Sequence, residues 1–331
     1  MAAAYGGGGL GLLSAGAFGL IRAEAALARR AIGEPSGTPP NTDGRYGGHH
    51  GGEPLRMVVL GDSSACGLGV EAPHQTPGAM LASGIAECAD RPVDVTVVAV
   101  VGAQSSHLSG QVEQIAHTAP DVAMIMIGAN DVTHRVRPPT AVRHLDHAVR
   151  RLRDLGAEVV VGTCPDLGSV EPVPQPLRWI ARRASRQLAA AQTIAVVEAG
   201  GRTVSLGDVL GPEFAASPSE MFGPDRFHPS VAGYASAAAV MLPSMCAALG
   251  LWFGGDRELA PDLGRGEGVR PISLAAAEAA DVPGTEVAAA QVGGRDRGPR
   301  GRWALLRHRD GADNPEAGQL IATAEEDAPP R

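Results

Sequence analysis

The sequence predicts an α/β fold in which a parallel sheet is covered by helices on both faces. Three observations carry this. From Leu55 onward, short apolar runs alternate with helix-patterned segments. Several of the runs are apolar almost without interruption, as strands buried on both faces are. The alternation itself is the signature of strand–helix–strand units rather than of hairpins.

The elements follow in order. Leu55–Leu60 is the first strand, ending abruptly at Gly61-Asp62-Ser63. Pro73–Cys88 is helical in pattern. Val93–Val101 is a near-continuous apolar run, expected as a strand buried on both faces. Ser105–Ala119 is helical, Asp121–Ile127 a third strand, and Thr140–Leu155 an arginine-rich amphipathic helix. Glu158–Val161 is a fourth strand, Pro176–Ala191 a helix, and Ile194–Glu198 a fifth strand. Ser230–Leu249 is a final alanine-rich helix with Ser230 suited to its N-cap. These elements place the folded domain at 54–250.

The flanks have a different texture. Residues 1–32 begin with an uncharged, Gly/Ala/Leu-rich run followed by Arg22, Arg29 and Arg30. The run fits a signal or membrane anchor by composition, and with it a membrane-associated or exported protein. Gly6 to Gly9 interrupt it, however, and the arginines lie on its carboxyl side. A soluble helix near Leu10–Ile32 fits as well, so localisation stays open. Residues 33–53 read as a linker, with His49-His50 expected on a solvated loop rather than at a metal. Residues 251–331, rich in Gly, Ala, Pro and charge, are expected to be largely disordered, with one arginine-rich island at Arg295–Arg309 around Trp303.

Composition removes some classes of function. Of 331 residues 44% are hydrophobic and 3% aromatic, so a sizeable core must be built from Ala, Val, Leu and Ile. The 28 basic residues are all arginine, and the formal charge of −8 argues against a general nucleic-acid binder. Cys66, Cys88, Cys164 and Cys246 are scattered without a Cys-x-x-Cys pair, which argues against a zinc module or a disulfide framework.

Four short pieces fall at loops around one sheet edge: Gly61-Asp62-Ser63, Val101-Gly102-Ala103-Gln104, Gly128-Ala129-Asn130-Asp131 and Asp225-Arg226-Phe227-His228-Pro229. Loops after successive parallel strands share an edge, so Ser63, Gly102 and Asn130 can converge there, and the loop before the last helix can bring His228. Other readings of single residues stay in view. Ser64 neighbours Ser63, and Cys66 is a small thiol nearby. Asp131 and His134 form a second Asp-x-x-His, where a loop-fixing role for Asp131 is the expectation. His144, Asp146 and His147 lie within one helix turn on a charged face. Gly67-Leu68-Gly69-Val70-Glu71-Ala72 fits a dinucleotide-binding pattern but sits well past the strand end, with no acid after the second strand for a ribose. A Gly-x-Ser-x-Gly elbow is absent, because Ala65 stands where its second Gly would be.

Taken together the four blocks resemble the SGNH hydrolases, or GDSL esterases and lipases, over about 54–250. Ser63, Gly102, Asn130 and His228 match the four residues that name that family, and Asp225 matches its Asp-x-x-His pair. The departure is Ser64 where the GDSL name has Leu, a position without a chemical role. The resemblance implies a three-layer α/β/α sandwich with a five-stranded parallel, flavodoxin-like sheet. It implies a serine carboxylic-ester hydrolase with Ser63, Asp225 and His228 as triad. The oxyanion hole would be the backbone N–H of Ser63 and Gly102 and the side-chain amide of Asn130. No metal or organic cofactor is expected. A serine hydroxyl needs a base, and an imidazole titrates near neutrality. An amide donates a hydrogen bond without adding charge. The implied partner is a small ester, an acylated sugar or a lipid. A non-catalytic carbohydrate- or lipid-binding protein on the same fold is the alternative, and a dinucleotide binder a remote one. Cys164–Pro176 and Gly207–Asp225 are expected to shape the pocket.

Overall fold

The computed structural model describes residues 37–251 without interruption. It also describes Gly19, Ala23, Glu24, Ala26 and Leu27 before them, and the backbone of Glu286–Val287, Gln291–Val292 and Arg295–Asp296 after them. Expectations for the rest of 1–32 and for the remainder of the tail lie outside the described residues.

Six strands form the sheet through the continuous region: β1 Gly44–Tyr46, β2 Leu55–Gly61, β3 Val93–Val97, β4 Val122–Met126, β5 Glu158–Gly162 and β6 Arg202–Val204. Their spatial order is β1-β3-β2-β4-β5-β6, and the backbone of Glu286–Val287 pairs in parallel beyond β6. The five strands from β3 to β6 are parallel. The sheet thus grows outward in both directions from β2, the doubly wound, flavodoxin-like arrangement. Only β1 runs antiparallel, pairing Gly44–Tyr46 with Val95–Val93.

Ten α-helices accompany the sheet within residues 37–251: α1 Ser63–Cys66, α2 Pro77–Ala89, α3 Leu108–Ile115, α4 Ala129–Thr133, α5 Pro138–Asp154, α6 Leu177–Glu198, α7 Leu206–Val209, α8 Gly211–Ala216, α9 Pro218–Met221 and α10 Val231–Ala248. The period-2 pleat explains the layering. On β2, Met57 and Val59 join the core under α2 and α10, while Val58 and Leu60 join the core under α3 and α5. On β4 the same split separates Val122, Met124 and Met126 from Ala123 and Ile125. Neither face reaches water, hence the unbroken apolar runs.

The helices follow from equally local causes. In α5 the buried residues Ala141, Leu145, Ala148, Val149 and Leu152 recur at helical spacing, and its arginines face outward. The α2 helix starts at Pro77, with the Thr76 hydroxyl accepting from the Ala79 N–H at 3.2 Å. The Ser230 hydroxyl caps α10 in the same way, accepting from Gly233 N–H at 3.2 Å. Among the described residues, α10 is long and apolar enough to cross a membrane, but it is mostly buried in the core. Upstream, the Glu24 carboxylate accepts from the Leu177 N–H at 2.9 Å, which ties the N-terminal segment to the start of α6.

Three expectations are corrected. Ile194–Glu198 is not a strand but the last turn and a half of α6, because Val196 continues the buried stripe through Leu188, Gln192 and Thr193. Gly200-Gly201 then stops the helix, and the strand is Arg202–Val204. The run Val93–Val101 is strand only to Val97. Val98 and Val100 still bond β2 through their N–H groups, but Val100 and Val101 turn outward and are 52% and 43% exposed. Finally, strand β1 lies inside the stretch read as a linker. Three residues that begin with Gly44 and run into Gly47-Gly48 carry too little periodicity to signal a strand, and Arg45 holds its pairing through Asp94 at 2.7 Å.

Candidate active site

Register puts the strand ends in a row, with Gly61 opposite Met126 and Met126 opposite Gly162. The loops that follow open at that single edge. At Gly61 the chain must turn with φ +131°, and a Cβ there would lie 1.9 Å from the Met126 carbonyl oxygen. Only glycine fits. The turn is held by Gln111 of α3, whose Oε1 accepts from the Gly61 N–H at 2.8 Å and whose Nε2 donates to the Gly61 carbonyl at 2.9 Å. Asp62 then caps α1, accepting from the Ser64 N–H at 2.9 Å. Ser63 is thereby presented at the first position of α1, 7% exposed.

His228 arrives from the loop before α10. Its Nε2 lies 3.1 Å from the Ser63 Oγ, and its Nδ1 lies 2.6 Å from the Asp225 Oδ2. The other oxygen of Asp225 accepts from the N–H groups of Phe227 at 3.0 Å and His228 at 2.9 Å. Burial alone would raise the Asp225 carboxyl. The hydrogen bonds from the His228 ring and from those two N–H groups outweigh it, so the group sits below the ordinary carboxylate range. An ionised Asp225 can only accept, which assigns a proton to Nδ1, and in the neutral ring Nε2 then turns its lone pair toward the serine hydroxyl. The arrangement can therefore take a proton from Ser63.

A cavity of about 90 Å³ opens beside these groups. Ser63, Asn130 and His228 line it, together with apolar walls that include Leu167, Val170, Leu210, Phe214 and Phe222. Both segments expected to shape the pocket contribute to it. Met221, in the second of these segments, is buried outside the lining. Asp166 fixes one wall: its carboxylate is fully buried and bonded to Arg182 and Arg186, each at 3.1 Å. Asn130 stands in the first turn of α4. Gly102 follows β3 on the exposed rim with φ +79°, and it is not among the residues lining the cavity.

The remaining sequence candidates are accounted for. Asp131 does not pair with His134. It accepts from the Ser105 N–H and, at 2.8 Å, from the Ser105 hydroxyl, so it ties the Gly102 loop to the Asn130 loop. His134 is exposed and bonds its ring to the Asn130 carbonyl at 2.9 Å. Ser64 also lines the cavity, but the imidazole bonds Ser63. Burial pushes the Cys66 thiol up to about 12, which keeps it neutral and unreactive. The glycines of the dinucleotide-like run serve the fold: Gly67 ends α1, and Gly69 packs against His228 and Pro229. On α5, Asp146 pairs with Arg150.

Two residues escaped sequence reasoning, Gln111 and Gln192. Gln192 of α6 accepts from the Cys164 N–H at 2.7 Å and donates to the Ile127 carbonyl at 2.9 Å, joining the ends of β4 and β5. Their one sequence signal is an amide within the apolar stripe of a helix.

Several known proteins are similar to this chain. The model of the GDSL-like lipase/acylhydrolase family matches residues 59–236. The chain is 41% identical over 247 residues to the GDSL-like esterase Rv1075c of Mycobacterium tuberculosis, covering 71% of this chain and 78% of that protein. Among solved structures, TesA shares 20% identity over 59% of this chain and 99% of its own, with a TM-score of 0.48. Axe2, an acetylxylan esterase from Geobacillus stearothermophilus, shares 19% identity over 61% and 97%, with a TM-score of 0.46. With the family model spanning more than half of the chain and a relative of this identity, the chain belongs to the GDSL-like lipase/acylhydrolase family and is a carboxylic ester hydrolase.

Proposed function

We propose that the chain hydrolyses esters through an acyl-enzyme on Ser63. The observation that carries this is the relay from Asp225 through His228 to the Ser63 Oγ, with spacings of 2.6 and 3.1 Å. The Ser63 oxygen attacks the ester carbonyl carbon while His228 Nε2 takes its proton. The imidazolium, held by Asp225, then gives that proton to the leaving alkoxide. Water attacks the acyl-enzyme with His228 again as base and releases the acid.

The charge on the former carbonyl oxygen would be met by the N–H groups of Ser63 and Gly102 and by the Asn130 amide. Asn130 is the best supported of the three beside Ser63, because both line the same cavity. Apolar walls favour an apolar acyl or alcohol group close to the ester, since burying it there releases ordered water. The domain itself is proposed to run from β1 to the end of α10.

The test is labelling with a fluorophosphonate, which traps only an activated serine, followed by peptide mapping. The adduct is expected on Ser63 and absent in His228→Ala. A panel of nitrophenyl esters of rising acyl length then reads the cavity. An adduct on Ser64, or turnover surviving in Ser63→Ala, overturns the assignment.

A further inference from the structure

At the sheet edge opposite Ser63, the loop between β1 and β2 lies on the carboxyl end of α2. The length of β2, about 20 Å at 3.3 Å per residue, separates the two edges. Gly47 makes the contact. Its φ is +65°, and a Cβ there would fall 2.4 Å from the Cβ of Ala86. The His50 N–H closes the turn on the Gly47 carbonyl at 3.0 Å. The turn lays His49 and His50 over Glu87, with the two rings 4.0 Å apart between centroids.

Three ligand-type atoms meet there. The Nε2 of His49 is 3.4 Å from Glu87 Oε1, and the Nε2 of His50 is 3.3 Å from the same oxygen. All lie within 4.8 Å of one another. The Nδ1 of His50 is 2.8 Å from Asp90 Oδ1. Asp90 itself is the left-handed cap that ends α2. The His50 side chain is only 11% exposed, whereas those of His49 and Glu87 face water. His49 is solvated, as the sequence suggests, while His50 is shielded.

We propose that His49, His50 and Glu87 form a binding site for a zinc-type transition-metal ion. Bonds of about 2.0–2.1 Å in tetrahedral geometry place neighbouring ligand atoms about 3.3 Å apart. The two measured edges match that spacing. Two imidazoles and one carboxylate suit such an ion, and the solvent side is open to a fourth, water ligand. Asp90 acts behind the site: accepting from Nδ1 directs the lone pair of Nε2 toward the metal. The ion would clip the loop after β1 to α2, so its effect is on stability and not on the esterase site at the far edge.

The experiment uses the full chain with any polyhistidine tag removed. Chelator-treated protein is melted with and without Zn2+, and Co2+ is added separately for its visible absorption. At a hundredfold excess over Kd, Zn2+ is expected to raise Tm by about 5–10 °C. Co2+ is expected to give the intense band of a four-coordinate ion. Both signals disappear in His50→Ala and in Glu87→Gln, while ester turnover stays at the wild-type level. Asp90→Asn weakens binding roughly 10–100-fold. His49→Ala, at an exposed side chain, decides the matter if His50→Ala does not fold. Absence of a Zn2+ shift in the wild type would leave only histidine–carboxylate ion pairs and overturn the site. A shift retained in His49→Ala and Glu87→Gln would place the metal elsewhere and overturn it equally.

Discussion

The side-chain amide of Gln111 bonds both backbone groups of Gly61, its N–H at 2.8 Å and its carbonyl at 2.9 Å, and Gln111 itself is 2% exposed. Gln111→Leu would leave the buried Gly61 N–H unpaired, whereas the carbonyl keeps its bond from the Val100 N–H at 3.1 Å. The variant is expected to lose about 1–3 kcal/mol in chemical denaturation, the cost of one such unpaired group. Its kcat should fall more than its KM rises, because the turn that aims Ser63 loosens. Unchanged stability would show that water replaces the amide.

Ser63→Ala is expected to cut kcat by roughly 10⁴ or more, the usual consequence of removing one member of a triad. Ser64→Ala is expected to stay within a few-fold of the wild type, since the imidazole bonds Ser63. Steady-state rates on one soluble ester distinguish the two.

Asn130→Ala is expected to lower kcat by roughly 10²–10³ with little movement of KM. A donor aimed at the oxyanion helps the transition state more than the bound ester. Asn130→Asp should be at least as damaging, because a carboxylate there repels the developing charge. A raised KM at unchanged kcat would make Asn130 an ordinary binding residue.

Two carboxyls give opposite signs in stability against pH. Burial pushes Asp62 up to about 7, against hydrogen bonds from the N–H groups of Ser64 and Gly128 and with the charge of Asp131. Its folded pKa exceeds its unfolded one. Its contribution is therefore complete below the unfolded pKa and is lost as pH rises through about 7. Asp225 is held low, so its contribution is present above the unfolded carboxylate pKa and is lost as pH falls through the folded value. Asp62→Asn keeps the cap without the charge. Denaturation midpoints at pH 5 and pH 8 should show the wild type losing ground to Asp62→Asn at the higher pH. Parallel behaviour of the two proteins would mean that Asp62 stays ionised when folded.

Much of this was legible because the chemistry sits where chain pattern changes. Ser63 and Asn130 each follow an apolar strand, and His228 precedes an N-cap serine, so all could be placed on one edge from spacing. The parallel order was legible from alternation. What escaped was long-range. Gln111 reaches Gly61 across fifty positions of sequence, and Gln192 reaches Ile127 across sixty-five. No local pattern records such a partner. The β6 error has a related cause: Ile194, Val196 and Val197 have strand propensity, and tertiary burial of a helix face overrode it. The shielding of His50 within its loop was not legible, because Glu87 and Asp90 lie about forty residues away at the carboxyl end of α2.

Ser63 and His228 are 165 residues apart in the chain. A ribosome adding about 5–20 residues per second needs roughly 10–30 s to travel from one to the other. Until the loop before α10 emerges, Ser63 lacks the imidazole that it bonds in the full chain. On the mechanism proposed above, the nascent chain lacks its base for most of its synthesis, and hydrolysis waits for the loop that carries His228. Products truncated before residue 228 would be inert rather than promiscuous.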